Sequence, residues 1–457
     1  MNPSDTSLWN LPAPRPRRRI GRWFALAAAL VVLGAATTGG WIYTRLSGNI
    51  HGAGVTGALG DNRPRAAQGG ENILVIGSDS RAGSGDAYGS GLTSMQSDTL
   101  MLLHLGGSGR WATVVSFPRD SWVRIPACDR GDGVISAVHH FKINEAFAIG
   151  GSAGDTARAA ACTIRTVEQN TRVRVDHFMI VDFRGFTGMV DALGGVEVCP
   201  AEPIHDTKAG LDLEAGCQTV RNEQALGYVR ARYSLGDGTD LGRIGRQQEF
   251  MRALVTKAKA ALHRPAALYR FLDSATGALT TDPQLAGLAP LQALASGLRG
   301  LPTDRIAFLT VPNYPRQRDV PGDTANVLWH PAAARTLFTA LTQDRELTRA
   351  TLAAATPPLP PAAGTVAVTV LNGTGVPGRA RATAERLRAL GFLVAATGNA
   401  PAPAGRSSLT YPEGLAEQAR TLADRLPGME PVPAGAAGAD RGTVTLTVGP
   451  DLPEPVG

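Results

Sequence analysis

Twenty-one consecutive residues without a charge, Trp23 to Tyr43, stand directly behind five arginines, and this pairing constrains the rest of the chain more than any other feature. A span of about 20 apolar residues crosses a bilayer core, and Trp23, Trp41 and Tyr43 at its edges suit the two interfaces. The arginines place the N-terminus in the cytoplasm and everything after Arg45 outside. A cleaved signal peptide is the alternative; the length and the aromatic edges make a retained, single-pass plasma-membrane anchor the expectation. Arg15, Arg17, Arg18, Arg19 and Arg22 against Asp5 give residues 1–22 a charge of +4 out of the chain's net +6. The pI near 9.4 is therefore a property of one end, and no nucleic-acid partner is expected.

The cysteines fit that exterior address. Cys128, Cys162, Cys199 and Cys217 form an even set without a CxxC pair or zinc-ligand spacing. Of three possible pairings, we expect Cys199–Cys217, closing a short loop after a strand, together with Cys128–Cys162. Free buried thiols are the alternative.

At 457 residues and 43% apolar, the chain has material for two or three domains. Composition divides it into a basic tail (1–22), the anchor (23–43), a Gly- and Ala-rich flexible stalk (44–70), a main domain (71–344), a Pro-rich linker (345–364) and a small C-terminal domain (365–450). Strands are predicted over 72–77, 100–105 and 111–117, the last two joined as a hairpin by Gly106-Gly-Ser-Gly109. Helices are predicted over 142–149, 156–170, 184–193, 224–233 and 243–263, with strands over 175–183 and 196–198 between them. This alternation predicts an α/β fold with a mixed central sheet flanked by helices. The C-terminal domain reads as a second, smaller α/β unit, with Ala380, Ala384, Leu387 and Leu390 on one helix face. It shows no catalytic cluster, so a binding or spacer module is expected.

Chemistry concentrates in the main domain. Arg230 and Arg232 lie in Tyr228-Val-Arg-Ala-Arg-Tyr233, Arg243 and Arg246 in Asp240-Leu-Gly-Arg-Ile-Gly-Arg-Gln-Gln248, and Arg119 in Phe117-Pro-Arg-Asp120. Forked guanidinium donors in such number suit a phosphate or pyrophosphate. On a helix Asp240, Arg243 and Gln247 share a face, and Arg246 reaches the same side. Arg230 and Arg232 point together only in an extended or frayed segment. Gly236, Gly238, Gly242 and Gly245 crowd this region and allow close backbone approach to a ligand. A solvated charged helix is the bland alternative.

Two acidic segments, Gly77-Ser-Asp-Ser-Arg81 and Ser97-Asp-Thr99, end or begin apolar runs. Singly, Asp79 and Asp98 read as cap or turn residues. Beside an arginine-lined anion site they suggest Mg²⁺ (or Mn²⁺), which takes one or two carboxylates plus phosphate oxygens. Arg81 and Lys142 add cations. His139-His140 is structural, because adjacent side chains point apart. The glycine-rich stretch 82–91 has no GK[ST] after it and no GxSxG occurs, against a P-loop nucleotidase or an α/β-hydrolase.

In order along the chain, Asn72-Ile-Leu-Val-Ile-Gly-Ser-Asp-Ser-Arg81, Ser97-Asp-Thr-Leu-Met-Leu103, Val115-Ser-Phe-Pro-Arg-Asp120, Lys142-Ile-Asn144, Val190-Asp-Ala-Leu-Gly-Gly-Val-Glu-Val198, Ala225-Leu-Gly-Tyr-Val-Arg-Ala-Arg232 and Asp240 to Gln248 resemble the LytR-CpsA-Psr family of cell-wall polymer transferases. The strand 366–371 with Asn372-Gly373 resembles the LytR-type accessory domain that often ends such proteins. The resemblance implies an α-β-α domain that moves a glycopolymer from a polyprenyl pyrophosphate carrier onto peptidoglycan through a phosphodiester. It implies Asp79 and Asp98 as metal ligands, and Arg81, Arg119, Lys142, Arg230, Arg232, Arg243 and Gln247 around the pyrophosphate. Arg119 and Arg243 would stabilise charge developing in transfer, and Asp240 would be the general base or an arginine-orienting carboxylate. The apolar segments over 175–198 would line a lipid-tail groove or form ordinary core. One departure stands out: Gln96 occupies the position where the family often has an arginine. A polyprenyl pyrophosphate hydrolase and a non-catalytic scaffold for lipid-linked polymer are the rival readings.

Overall fold

The structure, a computed structural model, describes residues 18–78, 95, 97–231, 240–261, 264–320, 322–356, 361–434 and 442–452, with backbone alone at 18–22, 24–27, 184, 240 and 241. Helix α1 (Arg18–Asn49) carries the uncharged stretch, and Leu30, Val31 and Val32 on it are exposed. Among the described residues, which omit the side chains of 24–27, no helix is long and apolar enough to cross a membrane.

The segment 44–70, expected as a flexible stalk, is built into the domain. Leu46, Ile50, Val55 and Leu59 are buried, strand β1 (His51–Gly52) joins the main sheet, and helix α2 (Thr56–Leu59) packs against the helix Thr156–Thr171. Four apolar residues at four- to five-residue steps anchor this glycine-rich segment by burying their side chains.

Strands β2 (Glu71–Ser78), β3 (Ser97–Leu105) and β4 (Ala112–Phe117) form an antiparallel meander, with the expected turn after Leu105. A side hairpin, β5 (Trp122–Ile125) and β6 (His139–Lys142), precedes α3 (Glu145–Gly150). Lys142 thus ends a strand where a helix was predicted. Helix α4 (Thr156–Thr171) starts at Asp155, whose carboxylate accepts from the backbone N–H groups of Ala157 and Arg158. Strand β7 (His177–Asp182) runs parallel to β2, and its last residue caps α5 (Phe183–Ala192).

Two small antiparallel pairs follow, β8 (Val196–Val198) with β11 (Gln218–Val220) and β9 (Ile204–Asp206) with β10 (Leu211–Leu213). Next come α6 (Asn222–Arg230), α7 (Asp240–Ala261), α8 (Pro265–Ala278), β12 (Leu279–Thr281), α9 (Leu288–Arg299) and β13 (Ile306–Thr310). Helices α5 and α8 cross at Gly185, where a Cβ would lie 1.6 Å from that of Ala278, so only glycine permits the approach. The hairpin β14 (Asn313–Pro315) and β15 (Val327–Trp329) leads to α10 (Pro331–Thr342) and α11 (Arg349–Ala354).

The main sheet has the order β1-β12-β7-β2-β3-β4-β13 and mixes parallel with antiparallel neighbours. Both faces are apolar. Leu74, Ile76, Leu100, Leu102, Val115 and Phe117 point to a core shared with α3, α4, α10 and α11. Alternate residues, Val75, Met101, Leu103 and Val114, face α7, α8 and α9 instead. Cys128–Cys162 and Cys199–Cys217 are bonded, the pairing expected from the sequence.

The C-terminal unit contains β16 (Ala367–Asn372), α12 (Arg379–Ala389), β17 (Leu393–Asn399), β18 (Ser408–Tyr411), α13 (Ala416–Ala423), β19 (Pro431–Pro433) and β20 (Val444–Val448). These strands form a sheet of order β17-β16-β20-β18-β19 over a separate core. Ala380, Ala384 and Leu387 of α12 are buried in it, with Leu390 packed at its edge.

Candidate functional site

A cleft of about 170 Å³ opens at the end of the sheet where β2 finishes and β3 begins. Strand β3 supplies Asp98 and Thr99, the loop after β4 supplies Arg119, and α6 ends in Arg230. From the first two turns of α7 come Arg243 and Gln247, one turn apart. Among the described residues, four cations (Arg119, Lys208, Arg230 and Arg243) meet two carboxylates (Asp98 and Asp206) there, an excess of two positive charges. Such a wall attracts a multiply charged anion.

The cleft's residues are held in place before any ligand arrives. Arg119 donates through Nη1 to Asp98 Oδ1 at 2.7 Å, and its Nε lies 3.7 Å from Asp120 Oδ1. Lys142 Nζ donates to that same Asp120 oxygen at 2.6 Å. Gln247 Nε2 donates to the Val229 carbonyl at 2.9 Å and to Thr99 Oγ1 at 3.3 Å, tying α7 to α6 and β3. The guanidinium of Arg230 rests 4.9 Å above the Phe183 ring. Arg243 is only 3% exposed, so its charge faces the cleft from a low-dielectric wall. Beneath α7, buried Gln248 donates to the Leu309 carbonyl and Thr310 Oγ1, both at 3.0 Å, and accepts from Arg349. Tyr228 packs on Phe250 behind the cleft, its phenol pushed up to about 12 by burial.

Several expectations meet here. Asp98, Arg119, Arg230, Arg243 and Gln247, spread over 150 positions of sequence, line one cleft. Lys142 does not line it: its ammonium stands behind Arg119, joined through Asp120. Arg246 also turns away, donating to the Ala231 carbonyl, and burial lowers its pKa from the usual arginine range. Asp79, Arg81, Gln96 and Arg232 lie outside the described residues, as does the side chain of Asp240. The sequence reading missed Asp206 and Lys208. They sit on and after β9, inside the loop closed by Cys199–Cys217, where the Asp206 carboxylate accepts from the backbone N–H groups of Lys208 and Ala209.

Among the described residues no group of three or more His, Cys, Asp or Glu side chains forms a metal cage. The donor set still suits a hard cation that arrives with its ligand. Mg²⁺ accepts one or two carboxylates plus phosphate oxygens, and Asp98 presents a carboxylate on the wall of an anion cleft.

An apolar cavity of about 390 Å³ continues along the same helix and strand. On α7 the stripe Arg243, Gln247, Met251, Val255, Lys259 advances one turn at a time, polar in the cleft and mostly apolar beyond it. On β3, Asp98 and Thr99 give way to Met101 and Leu103. Phe271 and Leu272 of α8 and Leu298 of α9 close the far side. The segments over 175–198 do not form this space: Val175, Phe178 and Ile180 pack in the core under α4, and Val190, Val196 and Val198 in the core under α5–α7.

Residues 42–337 match the model of the LytR_cpsA_psr family, and residues 365–452 match a second model described as LytR cell envelope-related transcriptional attenuator. A "Probable cell wall biosynthesis protein LcpB" of Corynebacterium glutamicum is 36% identical over 283 residues, 60% of this chain and 61% of that protein. The "Cell wall biosynthesis protein LcpA" of the same organism is 31% identical over 388 residues, 78% of this chain and 71% of that protein. In Bacillus subtilis, the "Polyisoprenyl-teichoic acid--peptidoglycan teichoic acid transferase TagT" is 28% identical over 267 residues, 55% of this chain and 75% of that protein. The chain thus spans about three fifths of the first of these relatives and about seven tenths of the second.

Proposed function

The chain belongs to the LytR-CpsA-Psr family, and on that footing we propose that it transfers a cell-wall glycopolymer from a polyprenyl diphosphate carrier to peptidoglycan. One observation carries the reading: a cationic cleft and an apolar cavity share the walls of α7 and β3. That arrangement suits an amphiphile with a doubly phosphorylated head and a hydrocarbon tail.

In the proposed reaction a sugar hydroxyl of the acceptor attacks the phosphorus that bears the glycopolymer. The new P–O bond makes the phosphodiester, the bridging P–O bond of the diphosphate breaks, and the lipid leaves as a monophosphate. Arg119, Arg230 and Arg243 would hold the diphosphate oxygens and offset the charge that gathers on them. Gln247, tied to Thr99 and Val229, would fix the angle at which α7 presents Arg243. The hydroxyl proton goes to a carboxylate; Asp240, on the first turn of α7, is the candidate. Asp98, with Asp79, would hold Mg²⁺ (or Mn²⁺), which supplies charge neutralisation on the phosphates when bound. We further propose that Trp23–Tyr43 is a retained membrane anchor, supported by its flanking arginines and by the exposed apolar side chains of α1.

The test uses the full chain in detergent with Mg²⁺, a polyprenyl-diphosphate sugar and a peptidoglycan oligomer. Mass spectrometry is expected to find a glycan–phosphate–muramic acid adduct that disappears with Arg243→Ala. Lipid monophosphate without adduct would make the protein a hydrolase, and neither product would leave a binding protein.

A further inference from the structure

A second cationic cleft, of about 610 Å³, lies at the opposite end of the sheet. Its walls are the stretch after α2, the C-terminal half of α4 and Pro126. The position follows from strand direction. Arg172 and Val175 lead into the first residue of β7, which pairs beside the start of β2, whereas the diphosphate cleft lies where both strands finish. Six residues of β7 separate the two, roughly 20 Å at about 3.3 Å per residue.

The face that α4 turns to this cleft is Arg165, Glu168, Gln169 and Arg172, a stripe at helical spacing. Its one acidic member is already engaged. Glu168, 3% exposed, forms an ion pair with Arg63 and also accepts from the backbone N–H of Val175, while Arg63 donates on to the Val175 carbonyl. This buried pair fixes the cleft's floor and cancels its own charge. Three further arginines remain on the walls, Arg65, Arg165 and Arg172, against the single carboxylate of Asp61. Among the described residues none of the three has an acidic partner within ion-pair distance. Arg172 is placed by the left-handed C-cap of α4 (φ 60°), a position where glycine or asparagine is cheaper.

We propose that this cleft is a second anion site, which takes the phosphate groups of a phosphodiester-linked polyanion. Guanidinium forks bind phosphate oxygens bidentately, and three of them around a space larger than the diphosphate cleft suit more than one phosphate on a chain. In the cell wall such a site would hold an anionic polymer at a distance from the reacting head. The proposal does not depend on the transferase reading.

Isothermal titration of the full chain in detergent with a glycerol-phosphate oligomer tests it. Two classes of site are expected, both weakening with salt. Arg243→Ala should remove one class. The double variant Arg165→Gln/Arg172→Gln should weaken the other about tenfold per arginine and leave the first unchanged. Neither arginine holds a structural ion pair, so thermal unfolding of the double variant should match the parent, and Arg165→Lys/Arg172→Lys should bind between the two. A single class abolished by Arg243→Ala would overturn the proposal, as would a second class indifferent to the double variant. Equal affinity for inorganic phosphate and for the oligomer would overturn the assignment to a polymer.

Discussion

Arg243 shows how one residue combines charge with position. It is buried, it follows Asp240 by three residues, and the Gln247–Thr99 contact a turn later fixes the helix that carries it. Replacing it with lysine keeps the charge but loses the planar fork. We expect Arg243→Lys to lower kcat by about 10²-fold while KM for the lipid donor changes little, because such donors act chiefly on charge developing in the transition state. Steady-state kinetics with the circular dichroism spectrum as a folding control decides this. A KM effect alone would make Arg243 a ground-state anchor. At this scale the sequence was informative where residues belong to motifs, as with Asp98, Arg119, Arg230, Arg243 and Gln247. It failed for Asp206 and Lys208, because nothing local marks them. Their place in the cleft depends on how the disulfide-closed loop folds back across α6 and α7. Lys142 stands apart: its charge was legible, and Asp120 holds it one ion pair behind Arg119.

Elements were legible in the first part of the main domain, whereas α8 to α11 and β12 to β15 carried no expectation. The meander β2–β4 and helices α4, α5 and α7 fall within a few residues of expectation, whereas the two-residue β1 has no pattern to detect and the composition around it read as linker. Tertiary pairing decides that region, and one partly buried pair there makes a testable pH dependence. His177, at the start of β7, faces Asp282, just after β12, at 3.2 Å. The hydrogen bond to Asp282 raises the imidazole above its ordinary value despite burial. Burial would raise the Asp282 carboxyl, yet His177 and the backbone N–H groups of Phe178 and Gln284 pull it lower. The raised histidine contributes stability below about pH 6.5, lost as pH rises through its folded pKa. The lowered carboxylate contributes above about pH 4, lost as pH falls through its own. The advantage of the parent over Asp282→Asn in urea midpoint should therefore be largest between about pH 4 and 6.5 and shrink above 7. A difference that stays flat from pH 4 to 8 would remove His177 from the account.

The two disulfides separate stability from function at the same scale. They close segments of 34 and 18 residues, worth about 4 and 3 kcal/mol by loop entropy. Only the shorter loop carries cleft residues. Cys199→Ser/Cys217→Ser should therefore weaken diphosphate binding as well as unfold earlier in urea. Cys128→Ser/Cys162→Ser should cost similar stability with binding intact. Titration of inorganic pyrophosphate into both variants distinguishes the cases; equal losses would mean the cleft senses only global stability.

Across the whole molecule, α7 is the part that joins the cationic cleft to the apolar cavity. It runs from the arginine cleft to the far end of the apolar cavity, over 22 residues or about 33 Å. The sheet contributes a matching gradient, because β3 is polar at Asp98 and Thr99 and apolar at Met101 and Leu103, which face the cavity. Neither property is visible from one element's composition: Met251 and Val255 read as ordinary helix core until α8 and α9 leave space opposite them. If that space takes the lipid tail, filling it should affect donors according to their length. Val255→Trp puts an indole into the cavity's middle, beyond the reach of the diphosphate head. Each buried CH₂ contributes about 0.8 kcal/mol, so excluding even one isoprene unit should lower kcat/KM for long-chain donors tenfold or more. Donors short enough to end before Val255 should react as with the parent. The measurement is kcat/KM against prenyl chain length in both proteins, with thermal unfolding to exclude damage to the core. An equal loss at every length would mean the indole distorts α7 and reaches Arg243 through the helix. No loss at any length would place the tail outside this cavity, and the shared wall of α7 would then be a consequence of packing alone.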